Sequence, residues 1–314
     1  MNFDFSDIPN QTGRIAVVTG ANAGLGKETA IGLARTGMKV IMACRSKERA
    51  ESARTEILDT VPGGDVAVML LDLSSLRSVR EFADTFRKTH PRLDLLINNA
   101  GIMVPPHSTS EDGFEIQMAA NYFGHFVLTA HLIDMLPDTP QSRVVSLASI
   151  AHKNAQIDFD GLRSGSGPRG GRAYGQSKLA CLMFALELDR RLRRAGRKAL
   201  SVAAHPGVSC TELVRHINPV LFALLRVTLM PFFSHPPAQG ADPTLVAALG
   251  PEIQGGQYFG PQGILDMRGP TGPARMRPQA RDKESAERLW ALSEELTGET
   301  FAVAIEGHEP QIQD

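Results

Sequence analysis

An α/β fold, a doubly wound parallel sheet with helices on both faces, is predicted by three features of the sequence. Between Ile15 and about Ser149, short β-branched or aliphatic runs alternate with longer amphipathic stretches, as repeated βαβ units require. A glycine-rich segment, Thr19-Gly20-Ala21-Asn22-Ala23-Gly24-Leu25-Gly26, joins the first apolar run to the first helical stretch. The length of 314 residues exceeds the usual single-domain size, yet a sheet covered on both faces holds about 250 residues around one core. One domain spanning 1–314, with additions to that core, is therefore expected.

In chain order, strands are expected at Ile15 to Thr19, Lys39 to Cys44, Asp65 to Leu71, Leu93 to Asn98, Arg143 to Ser149 and Leu200 to Ala204. Helices fill the gaps at Lys27 to Thr36, Lys47 to Val61, Ser75 to His90, Glu115 to Leu136 and Tyr174 to about Arg194. Ser74 or Ser75 is placed to cap the third helix, whose apolar stripe is Leu76, Val79, Phe82, Ala83 and Phe86. In the fifth, Leu182, Leu186 and Leu192 face inward, while Arg190, Arg191, Arg193 and Arg194 read as a solvated end favoured by the helix dipole. Gly255 to Gly260 reads as a last strand and turn, and Gly269 to Pro278, rich in Pro, Gly and Arg, as a loop. A C-terminal helix from Lys283 to Leu296 follows within a helix-and-tail region, 282–314, whose end from Thr297 has little to hold it.

Composition excludes several classes of function. With 33 Lys+Arg against 34 Asp+Glu there is no overall field to attract nucleic acid. Cys44, Cys181 and Cys210 are odd in number and widely spaced, which fits neither a disulfide framework nor a zinc site and points to a reducing compartment. His152 and His205 read as structural, and no paired His/Asp/Glu spacing suggests a metal. The acidic N-terminus lacks the basic and apolar regions of a signal peptide, and the longest apolar stretch, Val220 to Phe233, is interrupted by Arg226 and Pro231 and too short to span a bilayer. A soluble, cytoplasmic protein is expected.

The glycine-rich turn suits a pyrophosphate, because a strand feeding a helix through it gathers unpaired backbone N–H groups at the positive end of the helix dipole. Gly20 permits the tight turn, Gly24 lets backbone approach the ligand, and Gly26 lets helix pack closely on strand. Arg45 follows the second strand, where NAD-selective proteins carry an acid for the ribose 2′-hydroxyl. An arginine cannot accept that bond but pairs with a 2′-phosphate, so NADP(H) is the expected cofactor, with Arg49 one turn on as an assistant.

Thr-Gly-x-x-x-Gly-x-Gly near the N-terminus resembles the short-chain dehydrogenase/reductase family, whose Rossmann-type fold matches the expected sheet. The resemblance extends from about residue 12 to 263. It implies that Gly20, Asn22, Gly24, Leu25 and Gly26 bind the cofactor, that Asp72 and Leu73 read the adenine, and that the turn Asn98-Asn99-Ala100-Gly101 supports the sheet and lines the adenosine ribose. It also implies that Pro206, Gly207, Val208 and Thr211 bond the nicotinamide carboxamide.

Four side chains match the family's catalytic set. Tyr174 and Lys178 form Tyr-x-x-x-Lys, a spacing that puts both on one helix face. A phenol is a poor proton donor near neutral pH until an ammonium favours its ionised form, and Lys178 is that cation; in the family it also bonds the nicotinamide ribose. Ser149 matches the serine that bonds the substrate oxygen. Ser146 competes for that role, but Ser149-Ile150-Ala151-His152 resembles the Ser-x-Ala-His of retinol-dehydrogenase-like members. Asn121 matches the helix asparagine that helps hold a relay water near the lysine. A long gap before Tyr174, carrying the Asp158 to Arg172 insertion, resembles the branch of retinol dehydrogenases and light-dependent protochlorophyllide reductases.

The segment 208–238 directly follows a strand's carboxyl end and is rich in Leu and Phe, so it reads as a lid over an apolar substrate, with ordinary packing or a homo-oligomer contact as its alternatives. Cys210, within it, reads as a packed or loop thiol rather than a nucleophile. An NADP(H)-dependent oxidoreductase interconverting a carbonyl and an alcohol is the leading expectation. An inactive cofactor-sensing protein on the same fold and a light-dependent or other C=C reductase are the alternatives.

Overall fold

The computed structural model describes residues 8–207 and 236–301. Its centre is an eight-stranded sheet of order β3-β2-β1-β4-β5-β6-β7-β8. The strands are β1 (Ile15–Thr19), β2 (Lys39–Cys44), β3 (Val66–Leu70), β4 (Leu95–Asn98), β5 (Arg143–Leu147), β6 (Leu200–Ala204), β7 (Tyr258–Pro261) and β8 (Thr271–Pro273). Neighbours pair in parallel up to β7, and β8 alone runs antiparallel at the edge. The order reverses at β1, so the carboxyl ends of β1 and β4 flank the switch point where such sheets bind ligands.

Alternate strand residues feed two cores, which is why the central strands are apolar throughout. Val17, Ile41, Leu96, Val144 and Ala203 pack under α3 (Leu76–Thr89), the helical stretch ending in α5 (Gly124–Leu132), and α7 (Gly170–Arg194). Their neighbours Val18, Met42, Ile97, Val145 and Val202 pack under α1 (Gly24–Arg35), α2 (Lys47–Thr60) and α8 (Pro237–Leu249). Ser75 caps α3 by accepting from Ser78 N, and all five residues of its expected stripe are buried. Arg143, buried at the start of β5, donates to the carbonyls of Ala247 and Gly250 at 2.9 and 2.7 Å, so its charge meets the negative end of α8.

Several elements depart from expectation. The stretch Glu115 to Leu136 is not one regular helix: α4 (Ile116–Met118), a π turn (Ala119–Phe123), α5 and a 3₁₀ turn (Ile133–Met135) succeed one another. Gly124 sits so close to the β3–α3 turn that a Cβ would lie 2.3 Å from the Leu73 carbonyl oxygen, and hydrophobic periodicity carries no sign of such an approach. The Asp158 to Arg172 insertion holds α6 (Phe159–Ser164), capped by Asp158, and its end begins α7, four residues before Tyr174. The Gly269 to Pro278 stretch is not wholly loop, since β8 pairs there with β7, and an edge strand tolerates its proline. The lid expectation at 208–238 falls almost entirely outside the described residues.

The C-terminal region is held more firmly than its composition suggests. After α9 (Pro278–Arg281) comes α10 (Lys283–Thr297), whose Trp290 stacks on Phe184 of α7 at 5.6 Å and lies under the Arg191 guanidinium at 4.3 Å. Residues 298–301 are anchored too: Glu299 pairs with Arg80 at 2.7 Å and lies 3.0 Å from His131 Nε2, and the Phe301 ring is 4.4 Å from Trp290. Replacing Trp290 by Ala is expected to cost about 3–5 kcal/mol of stability through the cavity it leaves. Urea unfolding measures it, and a loss below about 1 kcal/mol would mean that α10 adds little to the core.

Candidate active site

The glycine-rich turn takes the form its glycines allow. Gly20 and Gly24 have φ of 68° and 52°, in the left-handed region. At Gly26 a Cβ would lie 2.4 Å from the Gly20 carbonyl oxygen and 2.5 Å from Asn99 Nδ2, so α1 can approach β1 and β4 only with hydrogen there. No side chain caps α1, whose N-cap is Ala23, and no acid stands in its first turn. The uncapped N-terminus of a twelve-residue helix beside this turn fits a dinucleotide's pyrophosphate.

Beside it, the N–H groups of Ala21 and Asn22 point at the Cys44 sulfur, partly opposing the burial that pushes this thiol up to about 11. This contact sets the end of β2, and with it the exposed Arg45, next to the turn. Ser46 caps α2 by accepting from Arg49 N. Asp72 accepts from Ser74 N and Oγ, an Asx turn that shapes the end of β3.

The Asn98-Asn99-Ala100-Gly101 turn is bound to β1 rather than being plain loop. Thr19 Oγ1 accepts from Asn99 N and Ala100 N, both at 2.9 Å, and Asn99 Nδ2 donates to the Thr19 carbonyl at 2.7 Å. Asn98 Nδ2 donates to Thr129 Oγ1 at 3.1 Å. Gly101 lies against the lysine, for a Cβ there would meet Lys178 Nζ at 3.2 Å.

Tyr174 and Lys178 lie one turn apart on α7, both buried, with Nζ 5.9 Å from the Tyr174 ring centroid. Lys178 Nζ donates to the Leu147 carbonyl at 3.0 Å, which holds the ammonium at the carboxyl end of β5. Ser149 stands just beyond that end. Its Oγ accepts from Ala151 N and caps the 3₁₀ turn Ile150–Asn154, which leaves the hydroxyl hydrogen for a ligand. Ser146, the competing serine, is buried within β5 itself. Asn121, in the π turn, accepts from Ile102 N at 2.8 Å and donates from Nδ2 to the Ile102 carbonyl and Ser177 Oγ. Pro206 and Gly207 follow β6, with Gly207 at φ 76° pressed against the Met267 carbonyl. Val208, Thr211 and Cys210 lie outside the described residues.

Sequence reasoning missed the supports of this site. Gln279 of α9 donates to the carbonyl of Lys153 at 2.9 Å, steadying the turn that Ser149 begins. Tyr122 of the π turn shares a hydrogen bond with Ser293 of α10 at 2.8 Å. Buried His125 bridges Thr19 Oγ1 and the Asn121 carbonyl, each at 2.9 Å. Its place four residues after Asn121 was a helix-face signal available in the sequence. Among the described residues no cluster of His, Cys, Asp and Glu could hold a metal ion, and no helix is long and apolar enough to cross a membrane.

Comparison with known proteins agrees with this geometry. The family model for short chain dehydrogenases matches residues 14–220. The chain is 42% identical to retinol dehydrogenase 13 of Homo sapiens over 292 residues, covering 91% of this chain and 85% of that protein. It is also 42% identical to retinol dehydrogenase 12 of Mus musculus over 288 residues, covering 91% and 87%. Of solved structures, an uncharacterised protein from Mycobacterium paratuberculosis is similar at a TM-score of 0.78 and 39% identity, covering 96% of this chain and 99% of that one. The RhlG/NADP active-site complex of Pseudomonas aeruginosa is similar at 0.62 and 27%, covering 79% and 94%.

Two outcomes follow from the geometry. Gly26→Ala forces α1 away from Gly20 and Asn99, and dinucleotide affinity measured by calorimetry is expected to fall at least about tenfold, or about 1.4 kcal/mol; unchanged affinity would separate this packing from binding. The second concerns acid. Burial pushes His125 down to about 4 and His205 down to about 3, and it also lowers His152, while the unfolded chain protonates its histidines near pH 6.5. Their contribution to stability is full above pH 6.5 and is lost as pH falls toward the folded values, by about 1.4 kcal/mol per pH unit for each imidazole within that window. The melting temperature is expected to drop from pH 7 to pH 5, and a flat profile would mean that these rings titrate as exposed histidines.

Proposed function

Because the chain belongs to the short-chain dehydrogenase/reductase family, we propose that it is an NADP(H)-dependent oxidoreductase acting on the carbonyl or alcohol group of a largely apolar substrate. The observation that carries this reading is the placement of Tyr174 and Lys178 on one face of α7, with Lys178 Nζ fixed on the Leu147 carbonyl at the strand end that leads to Ser149. When bound, the nicotinamide group supplies the hydride donor or acceptor. The uncapped start of α1 and the turn around Gly20, Gly24 and Gly26, with Asn22 and Leu25, hold its pyrophosphate. Asp72, Leu73, Asn99, Ala100 and Gly101 line the adenosine side, and Pro206 and Gly207 begin the nicotinamide side.

Tyr174 gives its phenolic proton to the substrate oxygen during reduction and takes it back during oxidation. Lys178 steadies the negative charge left on the phenol, and with one N–H on Leu147 it keeps two for ligand hydroxyls. Ser149 donates its free hydroxyl hydrogen to the same substrate oxygen, and Asn121 fixes the π turn behind the lysine. Arg45 supports NADP(H) over NAD(H), since it pairs with a 2′-phosphate and no acid stands in Ala43-Cys44-Arg45-Ser46. The names of the retinol dehydrogenases suggest a long apolar alcohol or aldehyde as substrate. The buried free thiols Cys44 and Cys181 suit a reducing, cytoplasmic setting.

A panel of aldehydes and ketones, followed by loss of NADPH absorbance, tests the activity. Tyr174→Phe is expected to lower turnover at least about a hundredfold while leaving NADPH affinity nearly intact, and turnover within tenfold of the parent would refute the role of the phenol. Arg45→Asp is expected to weaken NADPH binding by about 2 to 4 kcal/mol while sparing NADH. Unchanged binding of both would place the 2′-phosphate elsewhere.

A further inference from the structure

We infer that His125 is a positioning residue that fixes the cofactor-binding turn and the π turn of Asn121 at one spacing. The inference rests on the proposed oxidoreductase reading, and its basis is an unbroken line of buried hydrogen bonds. A peptide carbonyl can only accept, so the 2.9 Å contact with the Asn121 carbonyl puts the proton of His125 on Nδ1. Burial keeps the ring neutral, which leaves Nε2 bare. Thr19 Oγ1, 2.9 Å from Nε2 and 3.3 Å from the Ile97 carbonyl, is therefore the donor to the nearer, otherwise unpaired Nε2, and its lone pairs receive Asn99 N and Ala100 N.

The line continues past the imidazole. The Asn121 carbonyl also accepts from Cys181 Sγ of α7 at 3.1 Å. Asn121 Nδ2 donates to Ser177 Oγ, and Ser177 Oγ donates to the Tyr174 carbonyl at 2.8 Å. One imidazole thus stands between the turn after β4, which faces the adenosine ribose, and the helix that carries Tyr174 and Lys178. An apolar side chain of the same size would fill the space but connect neither side.

The two contacts can be separated by substitution. In His125→Asn the amide nitrogen takes the place of Nδ1 and keeps the bond to the Asn121 carbonyl. In His125→Gln the amide oxygen takes the place of Nε2 and keeps Thr19 as donor. His125→Phe keeps neither. Each variant is measured for melting temperature, for NADPH dissociation constant by fluorescence titration, and for single-turnover rate at saturating NADPH and aldehyde. His125→Asn is expected to hold the single-turnover rate within about threefold of the parent while weakening NADPH binding about tenfold. His125→Gln should show the reverse, and His125→Phe should lose both. If all three variants lose only folded protein, with binding and rate per folded molecule within about threefold of the parent, the ring is mere packing and the inference is overturned. It is likewise overturned if Asn and Gln behave alike. A parent that binds NADPH but reduces no aldehyde or ketone refutes the oxidoreductase reading instead, and His125 is then judged on NADPH affinity alone: weakening in the Asn and Phe variants with Gln near the parent supports it, and any other order overturns it.

Discussion

The carboxyl edge of the sheet depends on how closely α1 can approach β1 and β4, and that approach is set by the missing side chain of Gly26. Without a Cβ at this point, the first turn of the helix lies against the Gly20 carbonyl and Asn99, and Asn99 in turn reaches the Thr19 carbonyl. The Thr19 hydroxyl oxygen gathers the N–H groups of Asn99 and Ala100, while its hydrogen faces His125. A steric allowance of one methyl group thus becomes a polar network that joins the glycine-rich end of one βα unit to the end of another. The same logic recurs at Gly124, which lets the helix after β4 settle on the Leu73 carbonyl.

Much of this was legible because the signals are local. Strands β1, β2 and β6 lie where their apolar runs place them, and the Ser75 cap follows from a residue type with one ready use at a helix start. Tyr-x-x-x-Lys is readable because helix geometry alone puts its members on one face. What stayed hidden depends on contacts between distant segments. An extra residue in a helical turn leaves the hydrophobic period almost unchanged, so the π turn at Ala119–Phe123 has no pattern of its own. The pairing of β8 with β7 depends on a partner, and a stretch of Gly, Pro and Arg carries no alternation to announce it. The tail around Glu299 and Phe301 is too short to bury a core alone and becomes ordered only against Arg80, His131 and Trp290.

The buried polar groups explain why α7 and the elements behind it act as one block. Asn121 has its side chain on Ile102 and Ser177, and its carbonyl takes His125 and Cys181. Leaving any of these groups unpaired in the interior would cost about 1–3 kcal/mol. The satisfied arrangement therefore restricts the π turn to one position relative to α7. Tyr122, one residue on, extends the restriction to α10 through Ser293, and Trp290 of the same helix packs on Phe184 of α7. Helix α10, which carries no motif, is thus tied to the helix that bears Tyr174 and Lys178.

Reaction chemistry and substrate choice are therefore written in different ways along this chain. The chemistry requires a few donors at fixed distances, and such donors are cheapest to fix on a long buried helix and at strand ends, where short motifs survive as recognisable spacing. Tyr174, Lys178 and Ser149, the groups proposed for the reaction, are placed in this way. Recognition of an apolar substrate requires only shape and apolar area, which many sequences supply equally well. Apolar residues that serve this purpose need form no spacing that a particular ligand dictates. A reading of the reaction class can therefore be sharp where a reading of the substrate is broad, and the two call for separate experiments, one on the phenol and the other on substrate size.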